Sequence, residues 1–162
     1  MVDEMRTGIG FDAHPLKTKK KLVLGGMEIP FEKGLEGWSD ADALIHAVID
    51  ALLGALALGD TGTYFPAGVQ QYRGISSLTL LKKTKEILKE KGWQVNNIDA
   101  TIIAERPRLR DYIDQMREKL SRTLEMEIGR LSIKASTANT LGFVGRGEGI
   151  AAIAVATLKP AR

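Results

Sequence analysis

Residues 39–60 read SDADALIHAVIDALLGALALGD, and between Ala43 and Gly59 the only polar side chains are His46 and Asp50. At about 100° per residue, Leu44, Ile45, Val48, Ile49, Leu52 and Leu56 cover one broad arc of a helix. Ala43, Ala47, Ala51 and Gly54 cover most of the rest. The pattern predicts a helix over 39–58, with Ser39 as N-cap, Asp42 three residues later, and Gly59 closing it. A helix with almost no solvated face lies inside its protein. This one is too short and too interrupted to span a membrane. Asp42, His46 and Asp50, at i, i+4 and i+8, form one polar stripe along it, and buried ionisable groups need partners or a ligand. His46 therefore reads either as a core histidine bonded to Asp42 or Asp50, or as a ligand.

Working outward, residues 5–12 read as a first strand, and KLVLGGMEIP (21–30) as two short strands about a Gly25-Gly26 turn. Residues 76–91 form an amphipathic helix stopped by Gly92. VNNIDATIIAE (95–105) contains a strand, and 111–126 is a third helix with a polar face. RLSIKAS (130–136) and GIAAIAVATL (149–158) read as closing strands. Strand-rich ends flank alternating helix and strand, which predicts an α/β (α+β) sandwich: a mixed sheet with helices on one face, in a single domain over 1–162. The final strand is apolar at nearly every position, implying burial on both faces. One small domain rarely covers both faces of its own sheet, so association through the sheet is expected.

Composition narrows the function classes. The 162 residues are 44% hydrophobic and 27% charged, the balance of a soluble globular protein. There is no cysteine, so disulfides and thiolate metal sites are excluded and any metal is held by nitrogen and oxygen. The opening MVDEMRTGIG lacks the charged-then-apolar pattern of a signal peptide, which points to the cytoplasm. The net charge of +3 does not indicate nucleic acid. KTKKK (17–21) is short, and LLKKTKEILKEKG (80–92) interleaves Lys with Glu as a solvated helix face does. Aromatics, at 6%, do not alternate with basic residues as a stacking platform would. Mild basicity suits a phosphorylated small molecule.

The chain has two histidines. The other, His14, stands in GFDAHPL (10–16), two residues after Asp12. On a strand, residues i and i+2 point to the same face, so both side chains can converge on one point. With His46 they make a two-His, one-Asp set of the kind that binds zinc with the fourth tetrahedral position open. LGDTGTYFP (58–66) places Asp60 either in a plain turn or as an acceptor for sugar hydroxyls. KASTANTLGFVGRGEG (134–149) offers the hydroxyls of Ser136, Thr137 and Thr140, the Arg146 guanidinium and several glycines. No Gly-Lys-Ser/Thr follows, so it is not a P-loop; it reads as a connection or as a phosphate contact through backbone N–H groups. AERPRLRDY (104–112) turns at Pro107 with three arginines, as an anion or base site or as a solvated loop.

Together these stretches resemble the 2-C-methyl-D-erythritol 2,4-cyclodiphosphate synthase family of non-mevalonate isoprenoid biosynthesis. The matching segments are GIGFDAHPL (8–16), LGGMEIPFEKGL (24–35), SDADALIHAVIDALLGALALGDTGTYFP (39–66), NIDATIIAERP (97–107) and LGFVGRGEGIAAIAVA (141–156). They run in the family's order over nearly the whole chain. The resemblance implies a homotrimer with sheets packed around the threefold axis and active sites between subunits. It implies one Zn²⁺ per subunit on Asp12, His14 and His46, and Mg²⁺ or Mn²⁺ bridging the substrate diphosphate. The implied reaction is attack of the 2-phosphate of 4-diphosphocytidyl-2-C-methyl-D-erythritol 2-phosphate on its β-phosphorus, releasing CMP.

By matched position, Trp38, Ser39, Asp60, Thr61, Gly62 and Phe65 would meet the phosphate or sugar part of the substrate. Ala104, Pro107, Arg108, Leu109 and Arg110 would form the cytosine pocket. Ser136, Thr137 and Asn139 would contact phosphates or the second metal, with Thr137 stabilising the transition state. Asp50 would orient His46 or Thr137. Phe11, Phe143 and Arg146 fall where the family has an axial cavity that takes isoprenoid diphosphates. Three positions depart from the family: Trp38 stands where histidine is usual, Asn139 where glutamate is, and Ala67 where aspartate is. The alternative to a cyclase is a zinc-stabilised trimer of this fold that binds nucleotide or isoprenoid diphosphate with weak or no turnover.

Overall fold

The computed structural model describes residues 4–161; the first three residues of the opening stretch, and the last residue of the expected domain, lie outside it. The long strands are β1 (Arg6–Thr18), β5 (Trp93–Ile103), β6 (Leu131–Ser136) and β7 (Gly149–Pro160), and the short ones are β2 (Leu22–Leu24), β3 (Met27–Ile29) and β4 (Lys33–Leu35). The helices are α1 (Ala43–Ala55), α2 (Thr61–Tyr64), α3 (Ser77–Glu90), α4 (Ile113–Leu124) and α5 (Gly142–Gly145). Five strands make one mixed sheet in the order β4-β1-β7-β5-β6, antiparallel except for β5 and β6. β2 and β3 form the expected hairpin, with Gly25 and Gly26 both at positive φ in the turn.

Helix α1 is buried as its composition requires: Leu44, Ile45, Val48, Ile49, Leu52 and Leu53 are without exposed surface. It packs on β1 and β7 against the alternate residues Ala152, Ala154 and Ala156. The approach is close because β1 presents glycine there. A Cβ on Gly8 would collide with the Ala51 carbonyl, and one on Gly10 with the Ala47 carbonyl. Two residues forward along β1 thus correspond to four back along α1, which sets Asp12 opposite the Ala43 turn, and His46, on the next turn, reaches Asp12 at 3.1 Å.

The start of α1 differs from the expectation. Its N-cap is Asp42, whose carboxylate accepts from Ile45 N at 3.1 Å, and not Ser39. The same carboxylate accepts from Gly25 N (3.0 Å) and Gly26 N (2.7 Å), so it also fastens the β2–β3 turn to the helix. Its complete burial pushes the carboxyl up to about 6, against the pull of these backbone donors. At the other end α1 stops at Ala55, and Ala57, rather than Gly59, makes the first left-handed residue. The first strand runs six residues past the expected 5–12, through the antiparallel partners offered by β7 and β4. The segment after Asp60 is a short helix, and 134–149 contains another.

Among the described residues no long helix covers the opposite face of the sheet. Ile9 (71% exposed), Phe11 (58%), Ile153 and Val155 stand side by side on it, in the register Phe11–Ile153 and Ile9–Val155. The expectation of a final strand covered on both faces is met on one face within a single chain.

Candidate metal centre

Asp12 and His14 continue the helix-covered face of β1, and His46 reaches them from the first half of α1. His14 Nε2 lies 2.8 Å from Asp12 Oδ2, His46 Nδ1 lies 3.1 Å from the same oxygen, and the two ring nitrogens are 3.3 Å apart. In a tetrahedral zinc site with bonds of about 2.0–2.1 Å, ligand atoms stand about 3.3 Å from one another. Three donors already gathered near that spacing, one anionic and two imidazole, fit a divalent ion. They are the group of metal-ligating side chains that the described residues bring together in this way.

The surroundings set the state of each donor. Burial alone would raise the Asp12 carboxyl, but hydrogen bonds from His14 and His46 outweigh it and hold it at about 2. For His14, burial works against the charged form, and the Asp12 carboxylate more than compensates, raising the pKa above its ordinary value. His14 Nδ1 donates to the Glu36 carbonyl at 2.9 Å, which leaves Nε2 as the free nitrogen facing Asp12 and His46. His46 Nε2 faces Ser77 Oγ at 2.9 Å and Ser39 Oγ at 3.2 Å.

The expected role of Asp50 is not the one observed. Its Oδ1 accepts from the Thr61 backbone N–H (2.7 Å) and hydroxyl (2.6 Å), tying α1 to the start of α2 instead of orienting His46. Within one chain Thr137 stands apart from Asp50, and its hydroxyl lies 3.4 Å from Asn139 Oδ1. The polar stripe of α1 thus separates into three tasks, because three different elements pack against it. Asp42 holds the hairpin turn, His46 the metal-ligand group, and Asp50 the loop.

The triad opens on a cleft of about 330 Å³ that Trp38, Ser39, Asp50, Asp60, Thr61, Gly62 and Phe65 also line. Asp60 caps α2 through Oδ1, accepting from the Thr63 N–H and hydroxyl, which lower its pKa. Trp38 does not offer its indole N–H to this cleft: the group donates to the Val69 carbonyl at 3.0 Å, while Arg73 lies over the ring. Tyr72, which the sequence reading missed, lines the cleft with its ring edge-on to Phe65. Its only sequence signal is aromatic character in a loop.

A second cleft, of about 570 Å³, is lined by residues 104–110 together with Phe31, Ala135, Ser136 and Thr137. It shares no residue with the first. Ala104 N donates to the Ser136 carbonyl, which joins the two strand ends that build it. Asn139 and Thr140 follow at positive φ, and Glu105, within the expected 104–110 stretch, accepts from Ala138 N at 3.2 Å. Phe143 and Arg146 line neither cleft, and Arg146 is paired with Glu148 at 2.9 Å.

An Asp-His-His group on the helix-covered face of β1, opening on a cleft, defines an α/β protein with a candidate divalent-metal site. The sequence model of the YgbB family matches residues 5–159, and the chain belongs to that family. The 2-C-methyl-D-erythritol 2,4-cyclodiphosphate synthase of Dehalococcoides mccartyi is 57% identical over 152 residues, covering 94% of this chain and 97% of the relative. That of Brachyspira hyodysenteriae is 54% identical over 155 residues, covering 96% and 98%. Among solved structures, the bifunctional IspDF of Campylobacter jejuni superposes with a TM-score of 0.93 at 37% identity, covering 98% of this chain and 43% of that one. The CDP complex of Plasmodium falciparum IspF gives 0.86 at 28% identity over the full length of both. Among the described residues no helix is long and apolar enough to cross a membrane.

Proposed function

We propose that this protein converts 4-diphosphocytidyl-2-C-methyl-D-erythritol 2-phosphate to 2-C-methyl-D-erythritol 2,4-cyclodiphosphate, acting as a phosphorus–oxygen lyase. An oxygen of the 2-phosphate bonds to the β-phosphorus, the bond from that phosphorus to the oxygen bridging it to the α-phosphate breaks, and CMP leaves with the electron pair. The observation that carries the reading is the Asp12-His14-His46 group opening on a cleft, in a chain whose relatives bear that synthase's name. No external nucleophile takes part, so the protein has to fold the substrate and counter its charge.

The zinc ion that Asp12, His14 and His46 would hold supplies Lewis acidity and a template at the diphosphate. Around it, the Asp60 carboxylate and the backbone near Gly62 accept from and position the sugar hydroxyls, and Phe65 closes the apolar side. Residues 104–110 receive the base, and the Ser136 and Thr137 hydroxyls donate to the phosphates. Asn139 brings one neutral oxygen, so a second ion, Mg²⁺ or Mn²⁺, would rest chiefly on the substrate's own phosphate oxygens. With the Trp38 N–H engaged by Val69, the phosphate next to Trp38 receives no hydrogen bond from that ring.

A substrate reaching from the metal to a base pocket needs both clefts, and within one chain they are separate. The uncovered sheet face with Ile9, Phe11, Ile153 and Val155 supports a trimer in which one subunit supplies the metal cleft and its neighbour the base cleft. Phe11, Phe143 and Arg146 would then face the axis, where an isoprenoid diphosphate fits by apolar contact and charge. Incubating the protein with substrate, Zn²⁺ and Mg²⁺ is expected to release CMP. Release no greater than that of a His46→Ala control rejects the synthase reading, and leaves the diphosphate-binding trimer that Trp38 and Asn139 favour.

A further inference from the structure

We propose that Ser77 and Asp40 are positioning residues for the metal: a carboxylate–hydroxyl chain, half-buried at Asp40 and completely buried at Ser77, that fixes the tautomer of His46 and holds its Nδ1 toward the ion. The inference rests on the divalent-metal reading of the Asp12-His14-His46 group and assigns two residues outside that group.

The direction of each hydrogen bond follows from which atoms have hydrogens. An ionised carboxylate only accepts, a serine hydroxyl has one hydrogen, and a neutral imidazole has one N–H and one bare nitrogen. Asp40 Oδ2 accepts the Ser77 backbone N–H at 2.8 Å, and Asp40 Oδ1 accepts the Ser77 hydroxyl. The single hydroxyl hydrogen is thereby committed to Asp40. The Ser77 oxygen then presents lone pairs to His46 Nε2, 2.9 Å away, so Nε2 carries the hydrogen. Nδ1 is then the nitrogen left to take an ion; it lies 3.1 Å from Asp12 Oδ2, to which it donates when no ion is bound, and 3.3 Å from His14 Nε2. Ser39 Oγ, 3.2 Å from Nε2, accepts from Ala41 N and supplements the arrangement.

Water cannot stand in for the hydroxyl, because Ser77 is completely buried. Its location gives it leverage. Asp40 lies just before α1, Ser77 is the first residue of α3, and Asp40 N donates to the Ile75 carbonyl at 3.1 Å. The N-terminus of α3 is therefore joined to the metal ligand through one hydroxyl.

Partners that orient a ligating histidine typically govern metal affinity by about 10–100-fold. Chelator competition with Zn²⁺ on the purified full chain is the test. Ser77→Ala is expected to weaken zinc binding within that range, and Ser77→Thr, which restores a hydroxyl, to recover part of it. Asp40→Asn is expected to weaken it as well: an amide N–H donated to Ser77 turns the hydroxyl toward Nε2 and moves the histidine hydrogen to Nδ1. Thermal unfolding of the metal-free variants, run in parallel, separates this from mere capping of α3. Loss of metal-free stability with the parent's zinc affinity in both Ser77→Ala and Asp40→Asn overturns the proposal. A parent that binds no divalent ion overturns the metal reading, and this inference with it.

Discussion

At the Asp12-His14-His46 group three side chains share one small volume, and the state of each depends on the other two. Asp12 stays ionised across the neutral range because its carboxyl is held at about 2. His14 responds to pH in the accessible range, since its pKa is raised above the ordinary histidine value. A metal needs the neutral ring, so zinc affinity is expected to fall as pH drops through the raised His14 value, as chelator competition between about pH 8 and 6 can follow. The metal-free fold moves the other way. A raised histidine pKa stabilises fully below 6.5, and the contribution fades as pH rises through the folded value. Opposite slopes for affinity and metal-free stability are the signature; parallel slopes contradict it. Trp38 gives a second residue-scale prediction. Trp38→Phe keeps a ring beneath Arg73 but loses the N–H to Val69, and should cost about 1 kcal/mol in urea unfolding.

Among the elements, the β1–α1 contact carries the site. Gly8 and Gly10 let the helix backbone rest on the strand, and that close approach lets the His46 side chain reach Asp12. Gly10→Ala places a Cβ against the Ala47 carbonyl. It is expected to cost about 3 kcal/mol or more and to weaken zinc binding, since lifting α1 separates its ligand from the two on β1. A Gly10→Ala protein with full stability and affinity would show that the two elements are not set by this contact. The β2–β3 turn is fastened through Asp42. Asp42→Ala removes the acceptor for Gly25 N, Gly26 N and Ile45 N, and should cost about 3 kcal/mol, with Asp42→Asn costing less because it keeps one acceptor oxygen.

For the whole molecule, the two clefts and the uncovered sheet face make one prediction about assembly. Ile153→Asp places a charge in the middle of the apolar face and should yield monomers by sedimentation, inactive yet still folded and zinc-binding. Mixing is more specific. His46→Ala and Thr137→Ala are each expected to be inactive, but refolded together they should recover on the order of a quarter of the parent's activity. In a mixed symmetric oligomer, that fraction of interfaces joins two intact halves. Recovery of nothing would mean that one chain supplies both halves.

What the residues alone disclosed was periodic. Apolar side chains around every side of 43–58 mark a buried helix, because no solvated face is left. Asp12 and His14 share a strand face because the side-chain period is two, and two histidines without cysteine leave few ways to hold a metal. The same logic located the Gly25-Gly26 turn and the long strands. It could not say what lies across from a side chain. The i, i+4, i+8 stripe put Asp42, His46 and Asp50 on one line, but the hairpin turn, β1 with α3, and the Thr61 loop each meet a different one of them. Ser77, in a helix-starting Ser-Ser pair 31 residues from His46, gave no signal of its role for the same reason. Spacing along a chain sets which side chains share a face; only the packing of distant segments sets which atoms stand within 3 Å, where hydrogen bonds and metal bonds are made.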